Sequence, residues 1–224
     1  VRVYVIHMPN AERKAKIAAE LARVGFDDIT YIYAASPAKD FTMSNMRRNP
    51  RAEFGCALSH LKTLQAAYSF WVPDRDKDEV LIVEDDIVFA DNAKSVIASA
   101  MVFLNDLWMN LDTPNWDLLY LGGHPRSPVS KVSDRLYKVG QFSCAEAYIV
   151  NLSSIPDLIG FWCDRAGQKD AMFDIILGEY AAQGGGYAFY PTLTHQPPGY
   201  SQIGQKFDDK TDLIRRGWES NLVA

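Results

Sequence analysis

The stretch Val80-Leu81-Ile82-Val83-Glu84-Asp85-Asp86-Ile87-Val88-Phe89 decides how the rest of the sequence is read. Its first four residues are apolar without alternation, the pattern of a central parallel strand buried on both faces. Three adjacent carboxylates follow at the strand's end, where the loops of an open α/β sheet collect ligands. Like charges this close destabilise one another, and a divalent cation or a basic cluster would relieve that cost. Oxygen donors favour magnesium or manganese over zinc. The apolar Ile87-Val88-Phe89 beyond brackets the acids between buried segments and argues against a solvated turn.

Upstream, Val3 to Ile6 form a short strand ending at Pro9-Asn10, with Asn10 placed to cap a helix. Ile17, Leu21 and Val24 recur at helical spacing, and Gly25 supplies the stop. A second strand is expected from Ile29 to Ala34. The polar, basic segment from Ser36 to Arg51 reads as a loop, in which Arg47, Arg48 and Arg51 would fold over phosphates. Ala57, Leu58, Leu61, Leu64, Tyr68 and Trp71 then share one face of a helix from about Glu53 to Trp71, long enough to cover a sheet.

Downstream come a helix (Asn92 to Leu107), a strand (Trp116 to Leu121) and a glycine turn at Gly122-Gly123. A strand at Ala147 to Val150, helices at Ile155 to Arg165 and Ala171 to Gln183, and a strand at Tyr187 to Tyr190 follow. Strands separated by helices imply βαβ units, hence an α/β fold with a mostly parallel central sheet and helices on both faces. The less regular second half is expected to add an antiparallel edge. The polar, glycine-containing stretch from Pro197 to Ala224 reads as a tail, with Phe207 and Trp218 as packing residues.

A chain of 224 residues, 48% hydrophobic and 23% charged, has material for one substantial core, so a single domain is expected. The net charge of −5 gives no overall attraction to a nucleic-acid backbone. Cys56, Cys144 and Cys163 are far apart, odd in number and lack a C-x-x-C spacing, which argues against both a disulfide framework and a zinc site. They read as reduced, buried thiols of a cytoplasmic protein, free or peripheral to a membrane. No apolar run reaches membrane-spanning length.

Chemistry alone leaves three functions open: a sugar-nucleotide transferase, a metal-dependent phosphoesterase or nuclease, and a non-catalytic carbohydrate-binding relic. A hydrolase would want further His/Asp ligand pairs at neighbouring strand ends, and the sequence offers few.

Four segments resemble glycosyltransferase family 25, which holds bacterial lipooligosaccharide and animal collagen galactosyltransferases. They are Val5-Ile6-His7-Met8 with Glu12-Arg13; Glu53-Phe54-Gly55-Cys56-Ala57-Leu58-Ser59-His60; Leu81 to Asp86; and Phe173-Asp174-Ile175-Ile176-Leu177 with Tyr190-Pro191 through Gly199-Tyr200-Ser201. The resemblance implies a GT-A type nucleotide-sugar-binding fold, residues 1–121 forming the nucleotide half and 122–224 the acceptor half. It also implies inversion at the anomeric carbon, a UDP-sugar donor carrying galactose or glucose, a glycan or glycoconjugate acceptor, and Mn2+ or Mg2+. By that analogy Asp86 is the direct metal ligand, Glu84 lies near the ribose or the metal's water shell, and His195 completes the coordination. His7, Arg13, Glu53, His60, Glu84 and Asp85 then line the donor site. Two departures stand out: His7 replaces a common Asn, and Ser201-Gln202-Ile203 replaces a common Ser-Asp-Ile.

Asp174, among Phe173, Ile175, Ile176 and Leu177, sits in an apolar setting that favours a raised carboxyl pKa and a role as the base for the acceptor hydroxyl. Asp170 is the acid expected to serve that helix's dipole. Ser59 and His60 are neighbours on a helix, so they do not face each other and form no nucleophilic pair.

Overall fold

Residues 1–36, 50–72, 79–111, 116–166, 172–201 and 206–222 are described by the computed structural model of the chain. The first half runs β1 (Arg2–His7), α1 (Ala11–Val24), β2 (Ile29–Tyr33), α2 (Pro50–Ser69), β3 (Glu79–Glu84), β4 (Val88–Phe89) and α3 (Ala93–Leu111). The second half runs β5 (Leu118–Tyr120), β6 (His124–Pro125), β7 (Ser130–Lys131), β8 (Leu136–Lys138), β9 (Phe142–Ser143) and β10 (Ala147–Asn151). It ends with α4 (Ile155–Arg165), α5 (Phe173–Ala181), β11 (Gly186–Phe189), β12 (Thr194–His195), β13 (Gly199–Ser201), β14 (Lys206–Asp208) and α6 (Thr211–Asn221).

Local chemistry accounts for the first unit. Asn10 Oδ1 accepts from Glu12 N at 2.9 Å and Arg13 N at 3.1 Å, and Gly25 closes α1 in the left-handed region at φ 87°, which a residue without Cβ adopts at no steric cost.

An eight-stranded sheet in the order β2-β1-β3-β10-β5-β11-β8-β7 forms the middle of the molecule. β1 runs parallel to β2 and β3, and β5 parallel to β11. Within the apolar run of β3, Val80 and Ile82 join one core cluster while Leu81 and Val83 join the other. Period-two geometry thus feeds α1 and α3 on one face and α2, α4 and α5 on the other.

An antiparallel edge does exist, where β8 pairs with β11 and β7. The sheet also holds a reversed strand at its centre, since β10 runs antiparallel to both β3 and β5. The connection from β5 to β10 passes through short strands and no helix, and a strand reached without a crossover joins antiparallel. Reversal carries the start of β10 to the carboxyl ends of β3 and β5, the edge where the acids stand.

The C-terminal stretch is a built element rather than a loose tail. β13 and β14 pair antiparallel, and α6 anchors through Trp218, fully buried, whose Nε1 donates to Gly123 O at 3.0 Å and whose ring stacks on Tyr190 at 4.7 Å. Phe207, expected to pack, is instead 70% exposed. Cys163 is likewise exposed, and Cys56 and Cys144 are only partly buried. Most of the basic loop, including Arg47 and Arg48, lies outside the described residues, as do Asp170, Gln202 and Ile203. Among the described residues no helix is long and apolar enough to cross a membrane.

Candidate active site at the carboxyl ends of the central strands

Glu84, Asp85 and Asp86 leave β3 in three directions. Asp85 turns inward: its carboxylate accepts from Met8 N at 2.9 Å and from Arg13 at 2.5 Å, tying the exit of β1 and the first turn of α1 to the end of β3. Arg13 also reaches Asp86 Oδ2 at 2.7 Å. Glu84 Oε1 faces α2, where His60 Nε2 lies at 3.4 Å and Cys56 Sγ at 3.9 Å. Glu84 Oε2 faces the opposite way, toward Asp86 Oδ1, and the Gln196 side-chain amide donates to both, at 3.0 and 2.9 Å. Lys210, just before α6, donates to Gln196 Oε1 at 2.5 Å.

The basic cluster that the acidic run calls for is therefore present as Arg13 and Lys210, one from each end of the chain. Crowding still shows in the titration of the acids. Burial and the Glu84 charge push the Asp86 carboxyl up, against the pull of Arg13 and Gln196. Burial pushes Asp85 up as well, opposed by Met8 N and Arg13. Burial also works against ionised Glu84, but its hydrogen bond with His60 and the fields of His60, Lys210 and Arg13 hold it below its ordinary value. Lys210 is held well above the usual lysine range, despite burial, by Cys144, Glu146, Glu84 and Asp86.

The donor set fits a hard divalent cation. Two carboxylate oxygens, from Glu84 and Asp86, converge on one nitrogen, and the Asp86 side chain is 44% exposed. Cys56, His60 and Glu84 form a second group of potential ligand atoms on the α2 side, all within 4.8 Å of one another.

The remaining expected site residues fall around this centre unevenly. His60 is fully buried, bonded to Tyr148 Oη at 3.1 Å and stacked on Phe173 at 4.4 Å; Ser59 turns away to Gly55 O. His7 is buried between Tyr31 and Tyr33, and its Nε2 has no hydrogen-bond partner among the described residues. Glu53 is buried in the first turn of α2. His195 is exposed and paired in register with Val88. Side chains alternate along a strand, so it is Gln196, one residue on, that reaches the acids.

Asp174 occupies the first turn of α5, where Oδ1 accepts from Ile175 N at 3.0 Å and Oδ2 from Cys144 N at 3.4 Å. Gly178 permits this placement, since a Cβ there would collide with Phe142 O at 2.1 Å and hold α5 off β9. Cys144 is itself held at φ 78°, an uncommon left-handed backbone for a residue with a side chain.

Three site residues escaped sequence reasoning: Gln196, Lys210 and Glu146. Glu146 precedes β10 and is 2% exposed. Burial pushes its carboxyl up to about 7, with Lys210 opposing and Glu84 adding to the rise.

Acids gathered beyond the carboxyl ends of parallel strands, with cations folded in from both chain ends, suit an enzyme that handles a phosphorylated ligand. Comparison with known proteins gives the class. The sequence profile of glycosyltransferase family 25 (LPS biosynthesis protein) matches residues 1–163. The chain belongs to that family of glycosyltransferases, and its fold is a mixed α/β sheet with helices on both faces. The phosphoesterase reading falls with that membership.

Among solved structures, a protein of STIV is similar at a TM-score of 0.47 and 8% identity, over 87% of this chain and 83% of that one. The glycosyltransferase GlyE of Streptococcus pneumoniae is similar at 0.44 and 12%, over 100% of this chain and 60% of that one. Mouse xyloside xylosyltransferase 1 is similar at 0.43 and 8%, over 88% and 84%. No curated protein sequence matches the chain significantly.

Proposed function

We propose that the enzyme moves a hexose, galactose or glucose, from a UDP-sugar to a hydroxyl of a glycan or glycoconjugate, with inversion and with Mn2+ or Mg2+. The observation that carries this reading is the convergence of Glu84 Oε2 and Asp86 Oδ1 on one point at the end of β3. A cation held by Glu84 and Asp86 would neutralise the diphosphate of the donor. Lys210 adds a second positive charge on the same side. At the exits of β1 and β2, the 60%-exposed ring of Tyr33 beside His7 offers a stacking surface for the nucleoside. Residues up to 121 would then serve the nucleotide and residues 122–224 the acceptor.

In the transfer, the acceptor oxygen bonds to the anomeric carbon as the carbon–oxygen bond to phosphate breaks, and that electron pair leaves with UDP. Asp174 takes the acceptor's proton. One attack without a covalent intermediate inverts the anomeric centre.

Thermal melting with UDP and UDP-hexoses, with and without Mn2+, tests the reading. Metal-dependent stabilisation by UDP is expected, because a ligand of the folded state raises its melting temperature; no response to any nucleotide would sink it. Asp86→Ala should abolish the metal-dependent part. Asp174→Asn should spare donor binding and slow transfer by about 100-fold or more, and intact turnover in that variant would remove Asp174 from the role. A product whose anomeric configuration matches the donor's would refute inversion.

A further inference from the structure

Glu146 is a buried acid whose two carboxylate oxygens meet no hydrogen-bond partner from any other described residue. The hydroxyl of Thr194, 1% exposed, is in the same condition. Buried polar groups left without partners are costly, and in a folded enzyme they point to a partner that arrives with the ligand. The two groups meet over Gly122: a Cβ at that position would lie 2.5 Å from Glu146 Oε1 and 2.6 Å from Thr194 Oγ1. Three elements build the place, namely the start of β10, the turn after β5 and the first residue of β12. Glu84 N donates to Glu146 O at 2.9 Å, so Glu146 belongs to the same strand-end centre as the acidic run.

The chemistry of these groups restricts what they receive. A carboxyl group accepts in either protonation state and donates when it holds its proton, so a hydroxyl suits it in both, whereas a phosphate is repelled once it ionises. The nearby cation, Lys210, gives its observed hydrogen bond to Gln196. A neutral polyol remains, offering two hydroxyl donors to one carboxylate and a hydroxyl of either sense to Thr194.

We propose that Glu146 and Thr194, over the bare backbone of Gly122, seat the ring hydroxyls of the transferred hexose, and that Glu146 is the residue that selects a sugar carrying them. The inference rests on the UDP-hexose reading above and adds the location of the sugar within it. Both residues are closed to solvent in this structure. A site built to bond hydroxyls then rejects an analogue that lacks one, because its own buried groups are left unpaired.

Calorimetric titration in Mn2+ buffer separates the two ideas. UDP, UDP-galactose, UDP-glucose and their monodeoxy analogues are titrated into the wild type, Glu146→Gln and Thr194→Val, each checked for folding by circular dichroism. In Glu146→Gln, UDP should bind within about two-fold of wild type while the preferred UDP-hexose weakens about 10- to 100-fold, the range for a hydrogen bond to a charged group. One deoxy analogue should bind wild type weakly and lose nothing further in Glu146→Gln, which marks the hydroxyl that Glu146 holds. Thr194→Val should show the same selectivity with a smaller loss, and it carries the test if Glu146→Gln does not fold. If UDP and UDP-hexose lose affinity equally, or no deoxy position couples to either variant, the sugar seat is refuted while the donor reading stands. If wild type binds no UDP at all, the donor reading fails first.

Discussion

Gln196 Nε2 lies 2.9 Å from Asp86 Oδ1 and donates to Glu84 Oε2 as well, so one neutral amide bridges two carboxylates. Its own oxygen takes Lys210, which makes Gln196 the link between the acids and the C-terminal helix. Gln196→Ala should lower stability in metal-free buffer by about 2 kcal/mol, the scale of hydrogen bonds to charged groups. With saturating Mn2+ the deficit should shrink, since a cation at the same point replaces the amide. Urea unfolding with and without Mn2+ measures both values, and an equal deficit in the two buffers would show that amide and cation do not compete.

Asp85 and Asp86 are neighbours with different work. Asp85 is 3% exposed at its side chain and joins Met8 N to Arg13, whereas Asp86 is 44% exposed. Removing one member of a buried ion pair costs about 3–5 kcal/mol, and Arg13 keeps Asp86, so Asp85→Ala should fall at the low end. Asp86→Ala should cost far less stability and lose metal-dependent donor binding. Chemical denaturation beside donor titration checks the contrast, and reversed behaviour of the two variants would overturn the division of roles.

Trp218 holds the C-terminal segment, and through it Lys210, against the sheet. Replacing a fully buried tryptophan by alanine costs about 3–5 kcal/mol, and Trp218→Ala should also weaken UDP binding at temperatures where the fold persists. Trp218→Phe keeps ring packing on Tyr190 but loses the bond to Gly123 O, worth about 1 kcal/mol. Calorimetric melting and UDP titration of both variants decide it; unchanged UDP affinity in Trp218→Ala would separate α6 from the donor site.

What the sequence disclosed and what it withheld follow from the range of the forces involved. β3 and its acids were legible because an unalternating apolar run and its abrupt end are local, as are the Asn10 cap and the Gly25 stop. β10 was legible as a strand but not in its direction, because direction depends on how the chain returns from β5 through β6 to β9. Glu146 was lost with it: in a parallel strand that residue would lie at the far edge of the sheet. His195 was singled out because imidazole is a metal ligand, and only the register of Thr194 with Phe89 shows which neighbour faces the acids. Lys210 sat in a polar stretch whose ordering depends on the burial of Trp218, eight residues later.

Glu146 makes the site's chemistry visible in stability alone. Its carboxyl rises from an ordinary value of 4.5 to about 7 on folding, so between these values the folded chain keeps a proton that the unfolded chain has released. Stability is then lost as pH rises through that window, the reverse of a salt-bridged acid, and at about 1.36 kcal/mol per unit the loss comes to roughly 3 kcal/mol. Glutamine mimics the protonated acid at every pH. In metal-free, donor-free buffer, Glu146→Gln should therefore match wild type near pH about 4 and exceed it by roughly 3 kcal/mol near pH about 8. Urea unfolding at the two pH values measures the difference. A stability gap independent of pH would mean that the acid titrates alike in both states, and that burial at the head of β10 does not hold its proton.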